Sequence, residues 1–291
     1  MTETIATTPG LTCSANTLRF ADLPTRAAAA AAAGFSGLGL RVSDLRGLDD
    51  ARVHELFAEH RLRTLELEHT WDWAADGADE VEAVMFGFAD RIGVRQINVP
   101  MFYAHPLDEL VRPFRGLCDR AADHGVLIGF EFLPYAHVRT LGQAWQVVAA
   151  AERPNGGIVV DLWHWRRSGA TIADLAAIPP ERITSVQLCE TRPDPLPDSA
   201  QEARHHRELP GHGVGSDGRT AALLKDFVAH GISCPVSVEV FSDALDALPA
   251  AEAATLASHA GTSVLAAAGW PHPHWTVSTE VRRIHAGQQL Q

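Results

Sequence analysis

The sequence predicts a single (β/α)8 barrel, in which eight parallel strands, each followed by a helix, surround one core. Short β-rich apolar runs alternate with longer helix-forming stretches, and this alternation is typical of parallel βαβ units. No GxGxxG follows the first strand and GxxxxGK(S/T) is absent, so the phosphate-binding turn of the open-sheet families is missing. Barrels of this type have about 250 residues. We therefore expect one domain over 1–291, with the barrel over about 11–268 and a tail over 269–291.

The candidate strands are short runs of β-branched and aliphatic residues. The clearest are LIGFEFL and GGIVVDL, in which apolar residues follow one another almost without interruption, as in a strand buried on both faces. The eight predicted strands span 11–17, 35–42, 63–69, 96–102, 127–133, 157–163, 183–190 and 234–241.

The stretches between these strands favour helices. An alanine run over 27–33 is followed by Gly34, and another helical segment is followed by Gly231; glycine is the usual residue just past a helix end. The predicted helices span 27–33, 49–60, 78–92, 107–124, 140–151, 171–177, 219–230 and 249–268.

Composition and charge exclude several classes of protein. The chain carries 36 acidic and 24 basic side chains, and a net charge of −12 repels a nucleic acid backbone. No uncharged apolar stretch reaches the roughly 18 residues of a membrane span. The four cysteines stand far apart without a CxxC pair, which disfavours a zinc ribbon or a disulfide framework. We expect a cytoplasmic protein without nucleic acid or membrane partners.

Two stretches carry little periodic signal. The segment 191–218, after the seventh strand, is rich in proline, glycine and charge, and it is too long for an ordinary connection. In a barrel it would lie over the catalytic face, as a lid or a substrate-contacting segment, although a solvated surface loop is the alternative. The tail from Trp270 is a candidate arm that packs on a partner subunit or stays mobile.

Polar side chains stand near the ends of four successive apolar strands. Unpaired carboxylates are costly to bury, so these residues must be solvated, hydrogen-bonded or bound to a cation. The carboxyl ends of neighbouring barrel strands converge, and an oxygen-rich set suits Mn²⁺ or Mg²⁺, with Zn²⁺ or Co²⁺ as alternatives. The competing interpretation is a layer of salt bridges to arginine. The four residues are Glu131, Asp161, Gln187 and Glu239.

The same region resembles a known family. The sequence is similar to the sugar phosphate isomerase/epimerase superfamily, the xylose isomerase-like TIM barrels, over residues 11–268. The motifs that carry the resemblance are EF with Glu131, VVDLWHW with Asp161 and His164, VQLCE with Gln187, RELPGHG with Arg207, and VSVEVF with Glu239.

The resemblance implies one divalent metal ion held by Glu131, Asp161, Gln187 and Glu239. It further implies that Glu131 and Glu239 act as an acid and base pair on a keto sugar or related hydroxy-carbonyl compound, through an enolate, while His164 and Arg207 lie near the substrate. The position of Gln187 is often histidine in relatives. Where many relatives read PGEG, this chain has histidine in the third position. Related barrels often pair, which makes a homo-oligomer an expectation.

Other side chains after the strands are candidates for contact with the substrate. His69 follows the third strand, His105 follows the fourth, and Trp163 lies in the DLWHW motif. A lone histidine is more often structural, and an aromatic side chain at a strand end more often fills the barrel mouth than stacks on a sugar. We therefore expect His69, His105 and Trp163 to line the pocket, with packing roles as the alternative.

Three other functions compete with isomerisation or epimerisation. A lyase would use the same enolate to expel water or the aglycone of a C-glycoside. A nuclease of the endonuclease IV type shares this fold, but it needs several strand-end histidines that this chain lacks, and the acidic charge disfavours DNA. A barrel that only binds a partner is the last alternative.

Overall fold

The computed structural model describes residues 10–213, 216 and 218–271, and within them the chain forms the predicted (β/α)8 barrel. Its strands are parallel and follow one another around a single sheet. They are β1 (Leu11–Cys13), β2 (Gly37–Leu38), β3 (Leu40–Arg41), β4 (Thr64–Glu68), β5 (Val94–Pro100), β6 (Leu127–Glu131), β7 (Gly156–Asp161), β8 (Ile183–Leu188) and β9 (Val236–Val238).

Helices cover the outside of this barrel. The first begins after Asp22, whose side chain accepts a hydrogen bond from the Thr25 amide, and Thr140 with Gln143 forms a capping box at another start. The helices are α1 (Leu23–Ala32), α2 (Asp50–His60), α3 (Ala78–Ile92), α4 (Leu107–Asp123), α5 (Leu141–Ala151), α6 (Leu162–Ser168), α7 (Ile172–Leu175), α8 (Ser199–His205), α9 (Arg219–Ala229), α10 (Asp243–Asp246) and α11 (Ala250–Ala268), with 3₁₀ turns at Val42–Leu45 and Pro180–Arg182. In the described part of the chain, no helix combines the length and apolar character of a membrane span.

The barrel closes through a strand that the sequence predicted as continuous over 35–42. The structure divides it at Gly39, so that β2 pairs with β1 and β3 pairs with β4. A Cβ atom on Gly39 would lie 3.0 Å from the Ala15 amide nitrogen and 3.1 Å from Oε1 of Glu66. Glycine therefore lets the chain pass between its two neighbours at the point where the sheet closes.

The predicted strand 157–163 is shorter in the structure than in the sequence analysis. It ends at Asp161, whose carboxylate accepts a hydrogen bond of 2.9 Å from the amide of His164 and so caps α6. Trp163 and His164 therefore lie in the first turn of a helix, and the extension of the predicted strand to residue 163 was wrong. The capping carboxylate fixes His164 directly beside Asp161.

The segment 191–218 was predicted as irregular, but it contains α8. Glu202 of this helix is buried; its Oε1 atom lies 2.5 Å from Nη2 of Arg167, and its Oε2 atom accepts a hydrogen bond from the Leu196 amide. Isolated bridges also join Glu190 to Glu208 and His206 to Ser242. These contacts fix α8 against the barrel. Of the predicted tail, residues 272–291 lie outside the described part of the chain.

Close approach of β7 to β8 depends on Gly157. A Cβ atom there would lie 2.6 Å from the backbone oxygen of Arg182 and would collide with the side chain of Thr184. We expect Gly157→Ala to lower the free energy of unfolding by about 3 kcal/mol, because overpacking displaces backbone as well as side chains. The control is Gly142→Ala in α5, where nothing lies within 4 Å of the new Cβ and the change should be stabilising by up to about 1 kcal/mol. Urea denaturation measures both, and equal stability of the two variants would contradict the prediction.

Candidate metal and substrate site

A cavity of about 550 Å³ opens at the carboxyl ends of the strands. Acidic side chains from three separate strands or strand ends reach its wall: Glu68 of β4, Glu131 of β6 and Glu239, which follows β9. His164 and Arg207 also line it. The volume is in the range of small-molecule sites.

Metal-ligating atoms cluster on one side of this cavity. One atom each of Glu131, Asp161 and His164 lies within 4.8 Å of the others, and Nε2 of His164 is 3.2 Å from Oε1 of Glu131. The buried Oε1 atom of Gln187 has no hydrogen-bond partner, which is costly unless something else binds it. Hence a cation would satisfy an acceptor that the described part of the protein leaves unpaired.

Arg207 supplies the nearest positive charge to these carboxylates. Its Nη1 atom lies 2.5 Å from Oδ2 of Asp161 and 3.2 Å from Oε2 of Glu239, while its Nε atom donates to the backbone oxygen of Ala203. The guanidinium is almost fully buried, as are both carboxylates. Arg207 thus lies within the acidic cluster itself. The sequence analysis had placed Arg207 near the substrate and had not predicted these ion pairs.

The two carboxylates beside Arg207 have opposite pKa shifts. Burial would raise the pKa of Asp161, but the charges of Arg207 and His164 bring it down to about 2. Burial and the nearby charge of Glu68 raise the pKa of Glu239, which Arg207 only partly offsets. The carboxyl group of Asp161 therefore favours its anionic form, whereas the carboxyl group of Glu239 favours its protonated form.

Sequence reasoning missed a second acidic pair, Glu66 and Glu68 of β4. Glu66 is buried and accepts from Nδ2 of Asn98 at 3.2 Å, and Glu68 accepts from Nδ2 of Asn16 at 2.5 Å. Burial raises the pKa of each carboxyl to about 8; the neighbouring charge of Glu239 adds to the shift at Glu66, and Glu66 itself adds to the shift at Glu68. The signal was available in TLELE, where two acids interrupt an apolar strand as they do in the other strands. Asn16 also donates to Oε1 of Glu239, 3.1 Å away.

The four predicted metal ligands converge, but they are not equivalent. Gln187 and Asp161 are fully buried beneath the cavity, and Nε2 of Gln187 lies 3.3 Å from Oε1 of Glu239. Glu131 is 12% exposed and faces the cavity directly. The donor cluster also includes His164, which the sequence analysis placed near the substrate and not among the ligands.

The predicted substrate-contacting residues fall into two groups. His69 and Arg207 line the cavity, and His69 stacks on Trp71 with ring centroids 5.9 Å apart. His105 is absent from the cavity wall because its Nε2 atom lies 2.9 Å from the carboxylate of Asp72. Trp163 is fully buried and packs edge-on against His164, so it supports the site from behind and does not line the cavity.

The residues present fit a divalent cation. Carboxylate oxygens of Glu131 and Asp161 and the imidazole of His164 meet at one place, and Arg207 offsets two buried carboxylates beside them. Gln187 adds a buried amide oxygen without a partner. Oxygen-rich sets of this kind favour hard cations, and the imidazole also suits Zn²⁺.

Comparison with known protein families shows a match to a family model over most of the chain. The family model described as the xylose isomerase-like TIM barrel matches residues 27–260. This range includes every predicted metal ligand together with His164 and Arg207.

Two curated relatives have different activities. The 3-dehydroshikimate dehydratase of Pseudomonas aeruginosa is 31% identical over 240 residues, which cover 78% of this chain and 37% of that protein. The inosose isomerase of Halalkalibacterium halodurans is 29% identical over 199 residues, covering 64% of this chain and 66% of that protein. The chain thus spans little more than a third of the Pseudomonas protein it matches.

A solved structure is similar in fold. The crystal structure of the IOLI protein with a zinc atom superposes with a TM-score of 0.78 and 23% sequence identity, covering 88% of this chain and 98% of that one. At this identity the likeness supports the barrel fold alone.

Glu66, which is buried, and Glu68, which is half-buried, make the metal-free protein sensitive to pH. Each pKa rises from 4.5 in the unfolded chain to about 8 in the folded protein, so the folded protein binds protons more tightly. The resulting contribution to the free energy of unfolding is fully present below pH 4.5 and is lost as the pH rises toward 8. We expect the free energy of unfolding of chelator-treated protein to fall by about 1 kcal/mol per pH unit for each group between pH 5 and 8. Glu66→Gln, which cannot ionise, should reduce this slope, whereas the surface variant Glu55→Gln should keep it. Denaturation at several pH values measures the slope, and a flat profile for the unsubstituted protein would refute the prediction.

Proposed function

The chain belongs to the xylose isomerase-like TIM barrel family, and from this premise we propose that it is a divalent-metal-dependent isomerase or epimerase of a small polyhydroxy ketone. The observation that carries the proposal is the placement of Glu131 and Glu239. Glu131 ends β6 and Glu239 follows β9, with β7 and β8 between them, and both carboxyl groups line one cavity. Two carboxyl groups on separate sides of a bound ketone can remove a proton and return it.

The metal in this proposal is held by Glu131, Asp161, Gln187 and Glu239, with His164 beside them. When bound, it supplies the positive charge that polarises a substrate carbonyl and acidifies the neighbouring C–H. We favour Mn²⁺ or Mg²⁺ because oxygen atoms dominate the set, while Zn²⁺, named for the similar IOLI protein, and Co²⁺ are the alternatives.

The remaining residues of the site have separate tasks in the proposed reaction. One of Glu131 and Glu239 takes the proton beside the carbonyl, and the other delivers a proton to the enolate. Nε2 of His164 lies 3.2 Å from Oε1 of Glu131 and can hold that carboxylate in position. Arg207 can stabilise negative charge that develops on a substrate oxygen, because this residue lines the cavity and its charge lies close to Glu239. The partner is a small sugar-like molecule, and a cytoplasmic homo-oligomer stays a prediction of the sequence.

A lyase is the second candidate, and the similarity to 3-dehydroshikimate dehydratase favours it. An enolate formed beside a β-hydroxyl group can break that C–O bond, and the leaving hydroxyl takes a proton from the second carboxyl group and departs as water. The same carboxyl pair would thus serve both reactions. Inosose and 3-dehydroshikimate are both hydroxylated six-membered ring ketones. We therefore propose ring ketones as the first substrates to test.

Exchange of substrate hydrogen with D₂O tests the acid and base pair. Protein supplied with Mn²⁺ should introduce deuterium next to the carbonyl of a hydroxylated ring ketone, and NMR measures its rate. Glu131→Gln and Glu239→Gln should each lower that rate by about 100-fold or more, since each removes a proton-transfer group. Glu55→Gln, on the outer helix α2, is the control. Retained exchange in both cavity variants would refute the assignment, and an enone absorbance in place of deuterated ketone would favour the lyase.

Metal content tests the proposed ligands. We expect elemental analysis to find one divalent ion per chain, and Asp161→Asn or Gln187→Ala to reduce binding by about 10-fold or more because each removes an oxygen ligand. Addition of Mn²⁺ should raise the melting temperature of chelator-treated protein and have little effect on Asp161→Asn. A protein that takes up no divalent metal would contradict the proposed function.

A further inference from the structure

Polar side chains occupy the interior of the barrel directly below the site. Side chains alternate between the two faces of a strand, so residues two positions apart share a face and lie about 7 Å apart. Glu66 stands two positions before Glu68, which lines the cavity. Ser237 likewise stands two positions before Glu239, and it pairs with Thr12 in the register of β1 and β9. Thr12, Glu66 and Ser237 are completely buried, whereas bulky branched side chains usually fill the interior of such barrels.

The carboxyl group of Glu66 forms no ion pair with any residue in the described part of the chain. Its Oε2 atom accepts a hydrogen bond of 3.2 Å from Nδ2 of Asn98. Its Oε1 atom is buried and has no hydrogen-bond partner among the described residues. A buried carboxylate without a positive charge is costly, so this group must keep a proton or bind a cation.

Two hydroxyl groups of the same interior also lack partners. The Oγ1 atom of Thr12 and the Oγ atom of Ser237 are buried and form no hydrogen bond within the described ranges. Burial and the charge of Glu239 raise the pKa of Glu66, and the nearby Ser237 hydroxyl offsets part of this shift. The Ser237 hydroxyl and the Glu66 carboxyl group are therefore neighbours. Thr12, Glu66 and Ser237 thus each present one unpaired oxygen atom.

Glycines on the strand between β1 and β4 leave room beside these oxygen atoms. A Cβ atom on Gly37 would collide with Oγ1 of Thr12, and a Cβ atom on Gly39 would lie 3.1 Å from Oε1 of Glu66. Thr12 and Glu66 therefore extend over this strand from its two sides, Thr12 from β1 and Glu66 from β4. No side chain of the strand separates their oxygen atoms at Gly37 and Gly39.

We propose that Oε1 of Glu66, Oγ1 of Thr12 and Oγ of Ser237 bind a monovalent cation, Na⁺ or K⁺, inside the barrel. The set consists of oxygen atoms, which hard cations prefer, and its single carboxylate balances a single positive charge. A proton on Glu66 would remove the negative charge but would leave both hydroxyl groups unpaired. A water molecule would pair with the hydroxyl groups but would leave the carboxylate without a counter-charge. A cation meets both requirements, and it is separate from the proposed divalent ion.

Melting temperature tests the proposal on protein saturated with Mn²⁺, so that the divalent site is in the same state in every sample. Replacement of choline chloride by NaCl or KCl, each at about 100 mM, should raise the melting temperature by about 3 °C or more, because a ligand of the folded state stabilises it. The salt that gives the larger shift identifies the preferred cation. Equal melting temperatures in the three salts would overturn the inference.

Variants locate the source of this shift. Glu66→Gln removes the charge, while Thr12→Val and Ser237→Ala each remove one oxygen ligand, so each should reduce the shift to about 1 °C or less. Thr12→Val keeps the shape of the side chain and serves if Glu66→Gln does not fold. Glu55→Gln on α2 and Asp161→Asn in the divalent site are the controls, and both should keep the full shift. A shift that Glu66→Gln and Thr12→Val retain would contradict the proposed ligands.

Diffraction from crystals grown in the preferred salt shows the ion directly. Tl⁺ in place of K⁺ should give an anomalous peak next to Oε1 of Glu66, and Na⁺ should lie closer to its oxygen atoms than the roughly 2.8 Å of a water hydrogen bond. Ordered water only at this position would refute the cation. Neither measurement involves a substrate, so a negative result leaves the proposed function in place, and failure of deuterium exchange leaves this site in place.

Discussion

The concentration of buried negative charge at the mouth of the barrel is the constraint on which the site depends. Carboxyl groups from β4, β6, β7 and the end of β9 meet there, and mutual repulsion in a poorly solvated place must be offset. The structure offsets it in three ways: Arg207 neutralises part of the charge, asparagine side chains donate to Glu66, Glu68 and Glu239, and Glu66 and Glu68 favour their protonated forms. A divalent cation would be a fourth means, and the unpaired oxygen of Gln187 is consistent with it.

The backbone positions these groups through small residues at points of close approach. Gly39 permits one barrel strand to change neighbours and so close the sheet, and Gly157 permits β7 and β8 to pack without displacement. Asp161 has two tasks, because one oxygen caps α6 and the other pairs with Arg207. The helix start and the charge network are therefore linked through a single side chain, which explains why Asp161 lies at the centre of the site.

Much of this arrangement could be predicted from sequence. The alternation of strands and helices predicts the barrel, and Glu131, Asp161, Gln187 and Glu239 stand out because a polar residue at the end of an apolar strand needs a physical reason. Other features depend on contacts distant in the chain. Glu66 and Glu68 look like the polar face of a half-exposed strand until the closed barrel buries that face, and His105 leaves the cavity only because Asp72 is within reach. Arg46 and Arg204, which also line the cavity, lie on connections between strands, and no local pattern encodes the paths of those connections.

In helix α8, two residues that are two positions apart have different roles. Glu202 is buried and holds the helix through Arg167, whereas Arg204 is exposed on the cavity wall. Since the side chain of Arg204 does not hold the helix in place, this position can vary while the scaffold is retained. A substitution at Arg204 would therefore change the charge of the cavity lining on an unchanged frame, whereas a substitution at Glu202 would remove a contact that holds the frame together.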